Sequence, residues 1–158
     1  MQKYVMIVLL LICNGCAVSD NEIILPRCTD PNAIMDLQKE LNLYHYIMKY
    51  NSDSWNCVDF TTACFQFLDK LGYDVQIMAS YPKNADTGHC YPIVKIKNTW
   101  IAIEASLESS TAIGYVVSGG KYQYLTGYLF NNSTELNEMD VGPDAVYTGD
   151  LTRVIVKN

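Results

Sequence analysis

The segment from His89 to Ala105 constrains the fold most. His89, Tyr91, Ile93 and Lys95 alternate with Cys90, Pro92, Val94 and Ile96, a period of two that describes a strand with two differently packed faces. Lys97-Asn98 then offers a two-residue turn into a second apolar run, Thr99 to Ala105, so the natural reading is an antiparallel hairpin. With that turn Ile96 opposes Thr99 and Tyr91 opposes Glu104. Glu104 then lies on the same face as His89, on a diagonal of about 7–8 Å between backbones that the two side chains can close. Pro92 cannot donate to a ladder, so it is expected to sit on an edge or to force a bulge.

The residues before the hairpin predict a helix to cover one of its faces. Ser52-Asp53-Ser54 supplies capping side chains, and Phe60, Cys64, Phe67 and Leu71 recur at helical spacing before Gly72 provides a left-handed stop. With Ser54 as the cap, Cys57 is the third helical residue, where unpaired backbone N–H groups and the helix dipole favour a thiolate. Cys64, further down the apolar stripe, reads as a small core residue. Asp59 in the first turn complements the dipole, and Trp55 reads as a packing residue. Tyr73 to Ala79 alternates as a strand, and Tyr81 to Thr87 is a polar loop.

Upstream, Asp30-Pro31 marks a helix start, and Ile34, Leu37, Leu41, Tyr44 and Met48 predict an amphipathic helix through about Lys49 with His45 at its margin. Downstream, strands are expected at Ile113 to Val117 and Thr152 to Lys157, with a short helix from Ser133 past Leu136 to Met139. Tyr122, Tyr124 and Tyr128 read as sheet packing, with a substrate rim as the alternative. Asn131 and Asn132 open N-x-S/T sequons.

The N-terminus reads as an export signal over residues 1–15: Lys3, the apolar run Val5 to Ile12, then Asn14-Gly15. Eight apolar residues are too few to span a bilayer. Cys16 resembles the acceptor of a lipoprotein signal, which implies an exported, cell-envelope protein anchored to the membrane through a lipid. An ordinary secretory signal with Cys16 unmodified is the competing reading. Cleavage before Cys16 leaves 143 residues: a polar tether over 16–29 and a domain over 30–158 large enough to bury about two-thirds of its unfolded surface. With 17 acidic and 11 basic residues the net charge is −6, which argues against nucleic-acid partners. The two histidines, His45 and His89, stand in no zinc-ligand spacing with a cysteine pair, so no metal and no cofactor is expected. Cys28, Cys57, Cys64 and Cys90 are irregularly spaced; a bridge from Cys28 to Cys64 or Cys90 would leave at least one thiol free.

A cysteine at a helix start, a histidine heading a strand and a carboxylate on its hairpin partner are the three parts of nucleophilic acyl transfer: attacking thiolate, proton-carrying imidazole and orienting acid. Each alone reads as an ordinary structural residue. Together, Trp55-Asn56-Cys57-Val58-Asp59-Phe60, Leu71-Gly72-Tyr73, Gly88-His89 and Trp100 to Glu104 resemble the core of a transglutaminase-like cysteine peptidase domain, over about residues 51 to 106. The intervals of 32 and 15 residues between Cys57, His89 and Glu104 are similar to those of short prokaryotic members. The resemblance implies an α+β, papain/transglutaminase-like fold, a nucleophile-bearing helix on an antiparallel sheet, Cys57 as nucleophile, His89 as base and Glu104 as third member. It departs from the family at Cys90 and Pro92 and in the Ala105-Ser106 that follows the acid. The activity implied is a thiol hydrolase or acyltransferase on protein or peptide amides. A peptidoglycan amidase of the wider papain-like superfamily and a non-catalytic surface binding module are the alternatives. The backbone N–H of Cys57 is the expected oxyanion donor, with Asn51, Trp55 or Asn56 as candidates for a second.

Overall fold

A computed structural model describes residues 22–45, 49, 51–53, 55–80, 88–106, 111–117, 124, 126–137 and 153–157. The export signal, Cys16, Ser54, Tyr122 and Met139 lie outside the described residues. The chain has an α+β fold: strands β1 (Glu22–Pro26), β2 (Asp74–Ser80), β3 (His89–Ile96), β4 (Thr99–Glu104), β5 (Tyr115–Val116), β6 (Thr126–Phe130) and β7 (Arg153–Lys157), with helices α1 (Pro31–Leu41), α2 (Cys57–Lys70) and α3 (Ser133–Asn137). The strands form one sheet in the order β1-β7-β6-β2-β3-β4-β5. Every pairing is antiparallel except β1 with β7.

The hairpin has the expected register. Ile96 pairs with Thr99 and Ile93 with Ala102, and Lys97 turns the chain with φ 58°. Pro92 departs from expectation: β3 is an interior strand, and Pro92 pairs with Ile77 of β2 without a break in register. The physical reason lies on the other side, where the β3–β4 ladder runs only from Ile96 to Ile93. Pro92 has no N–H to extend it, and β4 continues instead with β5, pairing Ile103 with Val116 and Glu104 with Tyr115.

Alternation along the strands gives the sheet two buried faces. Val75, Val94, Ile101 and Ile103 pack under α1 and α2 against Leu37, Leu41, Phe60, Cys64 and Leu68. Met78, Tyr91, Ile93, Trp100 and Tyr124 form a second cluster with Leu25 of β1. Ile77, Ala79 and Cys90 meet Phe130 and Leu136 beside the start of α2.

Several boundaries differ from the sequence reading. α1 ends at Leu41 rather than near Lys49: past Asn42, whose side chain accepts from Gln38 Nε2 at 2.9 Å, the chain tightens to an i to i−3 bond from the Leu43 N–H to Glu40 O at 3.1 Å. Tyr44, which prolonged the helical period, instead packs in a tilted arrangement against Phe67 of α2 at 4.6 Å between ring centroids. His45 is exposed, outside the helix. The stretch expected as a tether carries β1, held to β7 over five residue pairs and continued by Cys28 N–H donating to Trp100 O at 2.9 Å. β6 was not anticipated as a strand, and the strand expected over 113–117 is reduced to Tyr115–Val116. Cys28, Cys57, Cys64 and Cys90 are all free thiols, so neither Cys28 bridge is formed. Among the described residues no cluster of His, Cys, Asp and Glu could hold a metal, and no helix is long and apolar enough to cross a membrane.

Candidate active site

Cys57 is the first helical residue of α2, two positions nearer the mouth of the helix than a Ser54 cap would place it. The cap is Asn56: its Oδ1 accepts the Val58 N–H at 2.8 Å, and Asp59 Oδ2 accepts the Asn56 N–H at 2.9 Å, a capping box. A reciprocal backbone pair, Asn51 to Trp55 at 2.7 and 2.9 Å, folds the preceding residues into a turn and delays the helix start. At the far end Gly72, with φ 86°, stops the helix; its N–H donates to Asp69 O at 2.9 Å. Replacing Asn56 by alanine is expected to cost about 1 kcal/mol in urea unfolding. It should leave Cys57 ionised, because the partners of the sulfur come from β3.

Thr61, one turn below Cys57 and fully buried, donates to Cys90 O at 2.9 Å and fixes α2 against β3. This brings the head of the helix to the head of the strand. Cys57, His89 and Cys90 line one recess of about 130 Å³ with Val58, Ala79, Gly88 and Leu136. A larger cavity of about 300 Å³, bordered by Arg27, Cys28, Trp100 and Val117, contains none of these three residues.

His89 Nε2 and Glu104 Oε2 are 2.8 Å apart. The carboxylate is fully subscribed: Oε1 accepts the Ser106 N–H at 2.7 Å and the Ser106 hydroxyl at 2.6 Å, and Oε2 also accepts the buried Tyr124 hydroxyl. Four donors on one carboxyl group leave no place for a proton, so Glu104 is an anion by geometry. The Tyr124 ring lies edge-on to His89 at 5.8 Å and to Tyr91 at 4.9 Å, walling the imidazole from one side.

The charges follow. The Cys57 thiol is held well below the usual range, at about 4; the Cys90 thiol and N–H donate to its sulfur, and His89 adds a hydrogen bond and positive charge, which together outweigh burial. Burial opposes charge on His89, yet the bonds and charges of Cys57 and Glu104 raise it to about 9. Burial would also lift Glu104, but the His89 bond and charge, with Ser106 and Tyr124, hold it at about 2. Cys90 is pushed up by its bond to Cys57 and by burial, and stays a thiol. Its one proton has two acceptors in reach, Thr61 Oγ1 at 3.6 Å and the Cys57 sulfur, of which the charged sulfur is the stronger. Burial pushes Cys64 up as well, as befits a core thiol.

Between about pH 4 and about pH 9 the site is therefore a thiolate, an imidazolium and a carboxylate in series. With Nε2 engaged by Glu104, Nδ1 is the ring nitrogen left for the sulfur. The N–H of Cys57, at the open end of α2, is available to a developing oxyanion. Of the candidate second donors, Asn56 directs its Nδ2 to Ser52 O at 3.5 Å while its Oδ1 caps the helix, and Asn51 Oδ1 accepts the Asp53 N–H at 2.9 Å. Trp55 packs edge-on to Phe60, its Nε1 buried without a partner among the described residues.

The sequence singled out Cys57, His89 and Glu104, and the structure brings all three together. It missed Ser106, Tyr124 and Cys90 as members of the cluster. Ser106 was within reach of inspection, two residues past the acid; nothing in the sequence ties Tyr124 to Glu104. No family model, no curated protein and no solved structure matches this chain.

Proposed function

We propose that this protein is a thiol hydrolase or acyltransferase acting on protein or peptide amides, built on a papain/transglutaminase-like fold, exported and anchored in the cell envelope through a lipid on Cys16. The observation that carries the catalytic reading is the line from the Cys57 sulfur through His89 to Glu104, with the 2.8 Å contact between His89 Nε2 and Glu104 Oε2 at the head of α2. The Cys57 thiolate attacks the amide carbon, and the carbonyl electron pair moves to oxygen, facing the Cys57 N–H. When it returns, the C–N bond breaks and His89 gives its proton to the departing amine, leaving a thioester on Cys57. Neutral His89 then takes a proton from water or from an acceptor amine, which attacks the thioester and releases the acyl group. Glu104 keeps its charge throughout and holds the imidazole in the tautomer the step needs.

A peptide aldehyde tests this reading, because its carbonyl forms a stable hemithioacetal where an activated thiol and an oxyanion donor hold the adduct. The expected result is one adduct per chain on Cys57, absent from Cys57→Ala and strongly reduced in His89→Ala. An aldehyde that adds to Cys57 no better than to an unfolded chain would make the binding module the better reading.

A further inference from the structure

Cys90 stands immediately after the base, where the family pattern offers no reason for a thiol. Two contacts fix its place: its Sγ is 3.6 Å from Thr61 Oγ1, and its carbonyl accepts from the same Thr61 hydroxyl at 2.9 Å. Thr61 follows Cys57 by one helical turn, a spacing that sets their Cβ atoms about 5–6 Å apart on one face of α2. Cys57 and Cys90 both line the 130 Å³ recess, which is large enough for a small hydroperoxide, since a water occupies about 30 Å³ of liquid.

We propose that Cys57 and Cys90 form an oxidisable dithiol: a hydroperoxide oxidises Cys57, and Cys90 resolves the product into a Cys57–Cys90 disulfide that reversibly withdraws the nucleophile. This inference regulates the proposed site and rests on Cys57 being a thiolate. The Cys57 sulfur displaces one peroxide oxygen, the O–O bond breaks, and the departing hydroxide leaves as water with the proton of His89; Cys57 is now a sulfenic acid, oxidised by two electrons. The Cys90 sulfur then attacks the sulfenic sulfur, the S–O bond breaks, and the Cys90 proton leaves with that oxygen as a second water. One hydroperoxide is reduced per disulfide formed. Closing the bridge brings the two sulfurs to a bond of about 2.05 Å. Cys28 and Cys64 are buried outside the recess and are spectators.

The test is hydrogen peroxide titration of the reduced, folded protein, with intact mass, peptide mapping and iodoacetamide labelling. The expected product is two mass units lighter, carries a Cys57–Cys90 cross-link, and loses Cys57 labelling, which dithiothreitol restores in full. In Cys90→Ser and Cys90→Ala, either of which serves if the other misfolds, Cys57 should gain two oxygens and dithiothreitol should restore little labelling. A wild-type protein that goes directly to the sulfinic acid, or that links Cys57 to another cysteine, overturns the proposal. A protein that forms this disulfide but accepts no aldehyde on Cys57 overturns the hydrolase reading alone, and one that takes the aldehyde but oxidises irreversibly overturns this inference alone.

Discussion

Cys57→Ala is expected to lose all acyl-transfer activity, by about 10⁴-fold or more against any amide or ester the protein accepts, while remaining folded. In the proposed reaction the sulfur is the atom that becomes the thioester, and no neighbour replaces it: burial, which remains in the variant, keeps Cys90 a thiol. Removal of a nucleophile elsewhere costs on the order of 10⁶ in kcat. Folding survives because Cys57 is only partly buried at the rim of the core, and truncation there leaves an open recess rather than a sealed void. Cys64→Ala is the informative contrast. Cys64 is fully buried, under Phe60 and Leu68, so this change should lower stability by about 1 kcal/mol or more and leave reactivity intact. Steady-state kinetics and urea unfolding of the two variants separate the roles.

The second large effect is expected from Glu104→Gln, an exchange of one heavy atom that leaves the size nearly unchanged but removes the charge and reverses the donor pattern. The Ser106 N–H can only donate, so the glutamine oxygen must turn toward it, and the amide NH₂ then faces His89 Nε2 and the Tyr124 hydroxyl. To accept from that NH₂, His89 must lose its Nε2 proton and carry the proton on Nδ1, on the side of the sulfur. That is the wrong tautomer for a base. The lost anion also lets His89 fall from about 9 toward its ordinary value near 6.5. A drop in kcat of about 10²–10⁴-fold is expected, the scale seen when a triad acid is replaced by its amide, with the alkaline limb of the activity profile moving to lower pH. Nitrogen-15 shifts of the imidazole in wild type and variant check the tautomer directly.

The three principal residues were legible because each is positioned by local signals. Ser52-Asp53-Ser54 and Gly72 bound α2 to within two residues, and the Lys97-Asn98 turn fixes the register that carries Glu104 to the side of His89. The cap itself was misread because Ser52-Asp53-Ser54 offers the same chemistry as Asn56, and only the Asn51–Trp55 backbone pair decides between them. What depends on distant pairing was not legible. Glu22–Pro26 shows no alternation that marks a strand, and its partner lies at Arg153–Lys157. Tyr124 reads as one more sheet tyrosine until the fold brings its hydroxyl onto Glu104, and α1 seemed longer because Tyr44 satisfies the helical period while packing on Phe67. Pro92 was judged by its missing N–H without knowledge of which neighbour would feel the loss.

The account stands on Cys57 and His89 existing as an ion pair, and the rate of Cys57 alkylation by iodoacetamide as a function of pH, with peptide mapping to locate the label, measures that directly. A sulfur ionised from about pH 4 upward should react at a nearly constant rate between pH 5 and pH 8. The rate level alone does not decide, because a thiolate of low basicity is also a weaker nucleophile; the flatness of the profile does. In His89→Ala the plateau should tilt. An ordinary thiol of value about 8.5 would speed up by nearly a thousandfold over those three units, and a wild-type profile that climbs in that way, or one that His89→Ala leaves unchanged, would contradict the ion pair and with it the assignment of Cys57 as nucleophile.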